Sequence, residues 1–228
     1  IRDYKVTGVQ TCALPISVND GEIFGFIGHN GAGKTTTIKS IVGILNFEEG
    51  DILIDGKSIK KYPIECKQIT AYIPDTPNIY EQLTGIQYLN FIADIYKIDY
   101  NERKAGIEKY ARMFELENRL GDLISSYSHG MKQKLIIMSA LIRKPKLLVL
   151  DEPFVGLDPK ATFLVKEIMK ELCKEGVSIF FSTHILEVAE KLCDHVAIIK
   201  AGKLVAYGTM DEVKGNKSLE DVFMETAK

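Results

Sequence analysis

Nine consecutive residues, Gly28-His29-Asn30-Gly31-Ala32-Gly33-Lys34-Thr35-Thr36, have the types and spacing needed to hold a polyphosphate. They follow an apolar, strand-like run over residues 22–27 and open a helix-like segment over 36–45, the setting that a G-x-x-x-x-G-K-[ST] loop requires. Gly28, Gly31 and Gly33 let the backbone turn tightly and bring its N–H groups against phosphate oxygens. Asn30 and Ala32 lie in the same cradle, and the helix that follows points its positive end at it. Lys34 is placed to reach β- and γ-phosphates, and the Thr35 hydroxyl to sit on Mg2+. The alternative is a plain glycine-rich turn between a strand and a helix; the flanking elements favour a nucleoside triphosphate.

A second group of candidates is acidic. Asp151 and Glu152 follow the apolar run Leu147-Leu148-Val149-Leu150. A carboxylate at a strand end can bind Mg2+ directly or through water, and its neighbour can take a proton from an attacking water. Two adjacent acids after a strand also make an ordinary solvated turn, and the pair alone does not separate the two. Ser128 precedes a helix-like segment and has a plain role as its N-cap, while His184 follows Phe181-Ser182-Thr183.

Bringing these residues together requires several strand ends on one edge. From Ser17 onward the pattern is mixed α/β. It predicts strands over 22–27, 71–73, 147–150 and 177–181, and helices over 36–45, 131–143, 160–174 and 186–192. Asp55-Gly56 closes a hairpin strand that begins at Asp51, and Ala201-Gly202 turns a second hairpin made by 196–199 and 204–207. Between Thr84 and Leu120 the apolar residues recur at helical spacing: Ile86, Leu89, Ile92, Ala93 and Tyr96, then Ile107, Tyr110, Ala111 and Phe114. Alternating strands and helices imply a parallel sheet covered on both faces.

The composition is that of a globular protein with a packed core: 228 residues, 46% hydrophobic and 26% charged. A net charge of -2 gives no electrostatic reason to propose nucleic acid as a partner. The longest nearly apolar run, residues 135–142, falls far short of the ~18 that would mark a membrane span, so any membrane part is expected in another chain. Cys12, Cys66, Cys173 and Cys193 form no C-x-x-C pair and indicate neither zinc nor a disulfide framework. Residues 1–16 look foreign: Val6 to Ile16 resembles the translation of an indexed sequencing-adapter oligonucleotide joined in frame, so this segment is set aside from the fold.

The acid pair is followed by Pro153 and by Gly156-Leu157-Asp158-Pro159, and preceded by Tyr127-Ser128-His129-Gly130-Met131-Lys132-Gln133. With these motifs in this order, the chain from Ser17 onward resembles the ATP-binding subunit of an ABC transporter. The resemblance makes residues 28–36 the Walker A loop, residues 147–151 the Walker B strand and Glu152 the general base. It makes Ser128 and Gly130 the signature that meets the γ-phosphate held by a partner subunit, Asp158 part of a subunit contact, and His184 the switch histidine. Two departures stand out. The signature reads Ser-His-Gly-Met where Ser-Gly-Gly-Gln is commonest, a variant similar to that of a large group of bacterial exporters. Asp75 stands where the family has Gln, or Glu in that group. The aromatic residue on which adenine stacks would fall within the first sixteen residues, where Tyr4 is given no such role.

What the resemblance implies is a P-loop NTPase of α/β class: a parallel core sheet, an inserted helical subdomain at about 81–144 and a partial antiparallel β subdomain, together spanning 17–228. ATP and Mg2+ are the implied ligands, the metal being met by Thr35, Asp151 and Asp75, with Lys34, Glu152 and His184 catalytic. A head-to-tail homodimer or heterodimer would hydrolyse ATP and drive a separate transmembrane permease, in export, from the cytoplasmic face of the membrane. The rivals are a soluble ABC ATPase unconnected with transport and an inactive nucleotide-binding module. A GTPase would need Asn-Lys-x-Asp, and Asn216-Lys217-Ser218-Leu219 lacks the aspartate.

Overall fold

Every residue of β3 (Ile23–Ile27), β7 (Leu147–Asp151) and β8 (Ser178–Thr183) is buried, as expected of parallel strands covered on both faces. The computed structural model describes residues 4–7 and 15–227. It sets these strands in a six-stranded sheet of order β10-β9-β3-β8-β7-β6, with β6 at Thr70–Ile73, β9 at His195–Lys200 and β10 at Lys203–Thr209. All neighbours are parallel except the β9–β10 hairpin. The register pairs Ile27 with Thr183 and Asp151 with Ser182, so β3, β8 and β7 finish side by side. That edge, outside the carboxyl ends of the strands, is where open α/β sheets bind ligands.

The period-two alternation of the strands sorts their side chains into two cores. Ile23 and Ile27, Leu148 and Leu150, and Ile179 and Phe181 join one apolar cluster; Phe24 and Phe26, Leu147 and Val149, and Phe180 join the other. The first is covered by α3 (Gly85–Ile95), α4 (Tyr100–Phe114), α5 (His129–Leu141), α6 (Pro159–Lys174), α7 (Leu186–Leu192) and two short helices, α8 (Met210–Lys214) and α9 (Leu219–Ala227). The second receives Ile38 and Ile41 of α1 (Lys34–Ile41), Cys66 of α2 (Pro63–Ile69), and Ile52 and Ile54 of β4 (Asp51–Ile54).

A separate antiparallel sheet has the order β2-β1-β4-β5, with β1 at Tyr4–Thr7, β2 at Ile16–Val18 and β5 at Lys57–Ser58. Asp55 and Gly56 both take positive φ, 51° and 74°, the primed hairpin turn anticipated from their types. The segment set aside from the fold contributes to this sheet: β1 pairs with both β2 and β4, and Ile16 is buried in the second cluster. Strand pairing is a backbone interaction and does not distinguish native from foreign chain. Residues 1–3 and 8–14, which include most of the adapter-like match and Cys12, lie outside the described residues.

Helix ends are set by caps and glycines. The helix anticipated over 36–45 runs instead from Lys34 to Ile41, because Gly33 leaves the loop at φ 107° and Gly43 turns left-handed at φ 68°. The helix anticipated to start at Met131 starts at His129, since the Ser128 side chain accepts a bond from Met131 N–H. A reciprocal capping box between Thr84 and Gln87 opens α3. The helical block is tied back to the sheet by Arg143, whose guanidinium lies 3.5 Å from the Tyr96 ring centroid and donates to the Thr70 carbonyl at 2.7 Å.

Candidate nucleotide-binding site

The glycine-rich loop leaves β3 with its backbone pressed on the neighbouring strand: a Cβ on Gly28 would lie 2.8 Å from the Ile199 carbonyl oxygen. Gly31 and Gly33 take φ of 81° and 107°, a region L-residues rarely adopt. Ala32 N–H donates to the His29 carbonyl (3.0 Å), and Gly202 N–H in the β9–β10 turn donates to the Ala32 carbonyl (2.9 Å). The Lys34 ammonium folds back to donate to the Gly28 carbonyl at 2.7 Å and the His29 carbonyl at 3.4 Å. The loop bounds a cleft of about 240 Å³ lined by His29, Asn30, Gly31, Gly33, Lys34, Thr35 and Thr36, with Asp75 and Glu152. Gly28 and Ala32 are buried and do not line it. Gly33 offers no side-chain cap to α1, so its first-turn N–H groups face no competing acceptor from that position.

The acid pair is held from the adjacent strand. Ser182 Oγ donates to Asp151 Oδ1 at 2.5 Å and accepts from Glu152 N–H at 3.0 Å, fixing Glu152 in a left-handed conformation with φ 47°. Glu152 then spans two cations or donors, with Oε1 3.3 Å from Lys34 Nζ and Oε2 3.0 Å from His184 Nδ1. Asp151 is wholly buried, and its Oδ2 has no hydrogen-bond partner among the described residues. An orphaned, anionic hard oxygen fits Mg2+, which takes few protein ligands and fills its octahedron with phosphate oxygens and water. The hydroxyl of Thr35 and the carboxylate of Asp75 lie on the cleft as further oxygen donors. Asp75 is exposed and accepts from Thr76 N–H. Burial pushes the Tyr72 phenol well above its ordinary pKa, and the charges of Asp151 and Asp75 push the same way, so it stays a neutral neighbour to both acids.

Ser128 and Gly130 do not line the cleft. They open α5 beside the segment containing Asp158: the His129 ring packs on Gly156, where a Cβ would meet its Cδ2 at 2.4 Å, and Lys134 lies 3.2 Å from Asp158. Asp158 Oδ1 in turn caps α6 by accepting from Ala161 N–H at 2.8 Å. The structure therefore unites Lys34, Glu152 and His184 directly and places Thr35 and Asp75 on one cleft, while the signature residues form a different surface. Sequence reasoning missed Ser182, whose signal was a hydroxyl following the buried apolar run Ile179-Phe180-Phe181. It also missed the pairing of His129 with Gly156.

A strand–loop–helix phosphate cradle beside strand-end carboxylates, at the carboxyl edge of a mostly parallel sheet, defines a P-loop nucleotide-binding protein. A family model described as "ABC transporter" matches residues 13–155. The ABC-type transporter ATP-binding protein EcsA of Bacillus subtilis (strain 168) is 38% identical over 220 residues, covering 94% of this chain and 89% of that protein. The linearmycin resistance ATP-binding protein LnrL of the same organism is 35% identical over 211 residues, covering 92% of this chain and 68% of LnrL. A solved structure described as the ATP binding subunit of an ABC transporter superposes with a TM-score of 0.92 at 36% identity, covering 99% of each chain. The chain belongs to the ABC transporter family as an ATP-binding subunit. Among the described residues no helix is long and apolar enough to cross a membrane.

Proposed function

We propose that this chain hydrolyses ATP in a head-to-tail dimer, each nucleotide held between the phosphate loop of one subunit and Ser128 and Gly130 of the other. The observation that carries this is the linkage of Lys34, Glu152 and His184 at a cleft from which Ser128 and Gly130 are absent. One subunit supplies a cradle, a base and its orienting histidine; the α5 N-terminus, a natural anion site, comes from the partner subunit.

In the loaded site Lys34 exchanges the Gly28 and His29 carbonyls and the Glu152 carboxylate for the β- and γ-phosphates. Glu152, held at Oε2 by His184, accepts a proton from water as the water oxygen bonds the γ-phosphorus and the bond to the ADP oxygen breaks. Lys34 and His184 donate to the charge that develops. Mg2+, held by Thr35, Asp151 and, through water, Asp75, would neutralise phosphate charge when bound.

Coupling to a separate transmembrane permease is supported by exposed apolar side chains on and beside α3: Tyr80, Phe91, Ile95 and Tyr100, with Tyr80 and Phe91 in edge contact at 5.6 Å. Export is supported by the signature variant and by the resistance named in the LnrL relative, since removing a toxic compound is what an exporter does. Its place is then the cytoplasmic face of the membrane, its dimer partner either a second copy or a related subunit. The first sixteen residues are proposed to be extraneous and the helical subdomain to span about 81–144.

The test is Glu152→Gln, which keeps the side-chain shape but removes the base. Hydrolysis should fall by about 10²- to 10⁴-fold while ATP and Mg2+ convert the protein to a dimer by light scattering. A variant that stays monomeric with ATP and Mg2+ refutes the composite site; wild-type protein that binds ATP without turnover, alone and with its permease, is an inactive module.

A further inference from the structure

The phosphate loop has few side chains by which it can be held. Three of its residues are glycines, and a Cβ on Gly31 would meet nothing within 4 Å. His29 is the exception: its ring centroid lies 4.4 Å from that of Phe223 in the carboxyl-terminal helix α9, with the planes inclined at 52°. Offset, tilted pairs of this kind are attractive beyond the area they bury. Phe223 is only 9% exposed, although it sits on the last helix of the chain.

Helix α9 is anchored independently of this contact. Leu219 is fully buried, its N–H donates to Glu190 Oε2 of α7 at 3.4 Å, and Lys214 of α8 pairs with the same glutamate. Ser218 and Asp221 close the helix start by reciprocal bonds. A fixed helix therefore presents Phe223 to the exposed side of a loop whose inner side is tied by Lys34. The inner tie is temporary, since Lys34 holds the His29 carbonyl with the same ammonium that must turn to the phosphates. The outer contact is between side-chain rings and uses neither the Lys34 ammonium nor the N–H groups of the loop.

We propose that Phe223 is a positioning residue for the phosphate loop, holding the His29 ring and through it the backbone that lines the triphosphate cleft. The proposal rests on that cleft being the ATP site. A residue that merely closes the apolar cluster would be replaceable by any side chain of similar bulk, whereas a ring partner for His29 requires a ring.

The experiment titrates the full chain with a fluorescent ATP analogue, using Lys34→Ala as the reference for loss of the site. An aromatic pair is worth enough to change Kd by about three- to tenfold, so Phe223→Ala should weaken binding by that factor. Phe223→Tyr should restore it and Phe223→Leu should not. His29→Ala should weaken binding similarly, and the double variant His29→Ala/Phe223→Ala should bind no worse than His29→Ala alone. A change smaller than about threefold, full rescue by Leu, or independent effects that multiply in the double variant overturns the proposal. If Phe223→Ala fails to fold, the Tyr–Leu comparison and His29→Ala decide it. Wild-type protein that binds no ATP, or Lys34→Ala that binds as wild type, instead overturns the assignment of the cleft.

Discussion

Ser182 is joined by one hydrogen bond each to Asp151 and Glu152, the two acids proposed to carry the chemistry. Ser182→Ala would leave the buried Asp151 carboxylate without the Ser182 hydroxyl and release the backbone that holds Glu152 at positive φ. The expected cost is about 1–3 kcal/mol in chemical denaturation, with ATP turnover falling further than ATP affinity; an unchanged turnover per folded molecule would show that the acids do not depend on this hydroxyl. The contrast with the phosphate loop explains what sequence could and could not reveal at this scale. Residues 28–36 announce themselves because backbone cradling demands glycines at fixed offsets, and Asp151 and Glu152 because charges at a strand end are conspicuous. Ser182 is silent, being a common residue whose importance arises only when two strands are set in register. His129 is equally silent until Gly156 is seen beneath its ring.

Among elements, β3 delivers the loop, and its packing sets where the loop begins. Gly25 in the middle of β3 has ordinary backbone angles, but a Cβ there would lie 2.6 Å from Cys193 Sγ and 3.3 Å from Val196 Cγ1. Gly25→Ala should therefore destabilise by about 1–3 kcal/mol through overpacking, and Cys193→Ala in the same chain should recover much of that loss, both read by thermal or denaturant unfolding. Failure of the second change to rescue the first would place the strain elsewhere. The strands anticipated over 147–150 and 177–181, found over 147–151 and 178–183, and helix 186–192 were legible because buried apolar runs and helical spacing are strong local signals. The end of α1 and the start of α5 were less so, since Gly43 and Ser128 decide them through backbone geometry and capping. The short α2 and α8 were missed because each buries a single side chain, Cys66 and Met210, and so shows no apolar stripe; Ile64 of α2 even faces solvent.

For the molecule as a whole, the two cores on opposite faces of the six-stranded sheet leave three surfaces distinct: the cleft at the strand ends, the α5 start with the Asp158 segment, and the apolar side chains of α3. If the last of these receives the permease, Phe91→Asp with Ile95→Asp should leave ATP binding by the isolated chain unchanged. The same pair should abolish its recovery with co-expressed permease from detergent-solubilised membranes. Intact recovery would move the docking surface to another part of the molecule. The family was legible from sequence because motif order reflects the order in which strands deliver residues to one edge; the separation of the α5 surface from the cleft was not, because it depends on how the helical block folds over the sheet.

The register of β7 against β8 carries one more consequence. Asp151 meets Ser182 only because Leu147 starts opposite Ser178, and a slip of one residue would turn the core residues of either strand to the opposite face. Gene variants that shift length rather than letter should thus be unequally tolerated. Losing or gaining a single codon within either strand reverses inside and outside and separates the acids from their serine, even though composition and charge hardly change. The same event in the exposed turn around Asn216 shifts no strand of the sheet, so the pattern of surviving insertions and deletions among descendants of this gene should trace the outline of the paired strands.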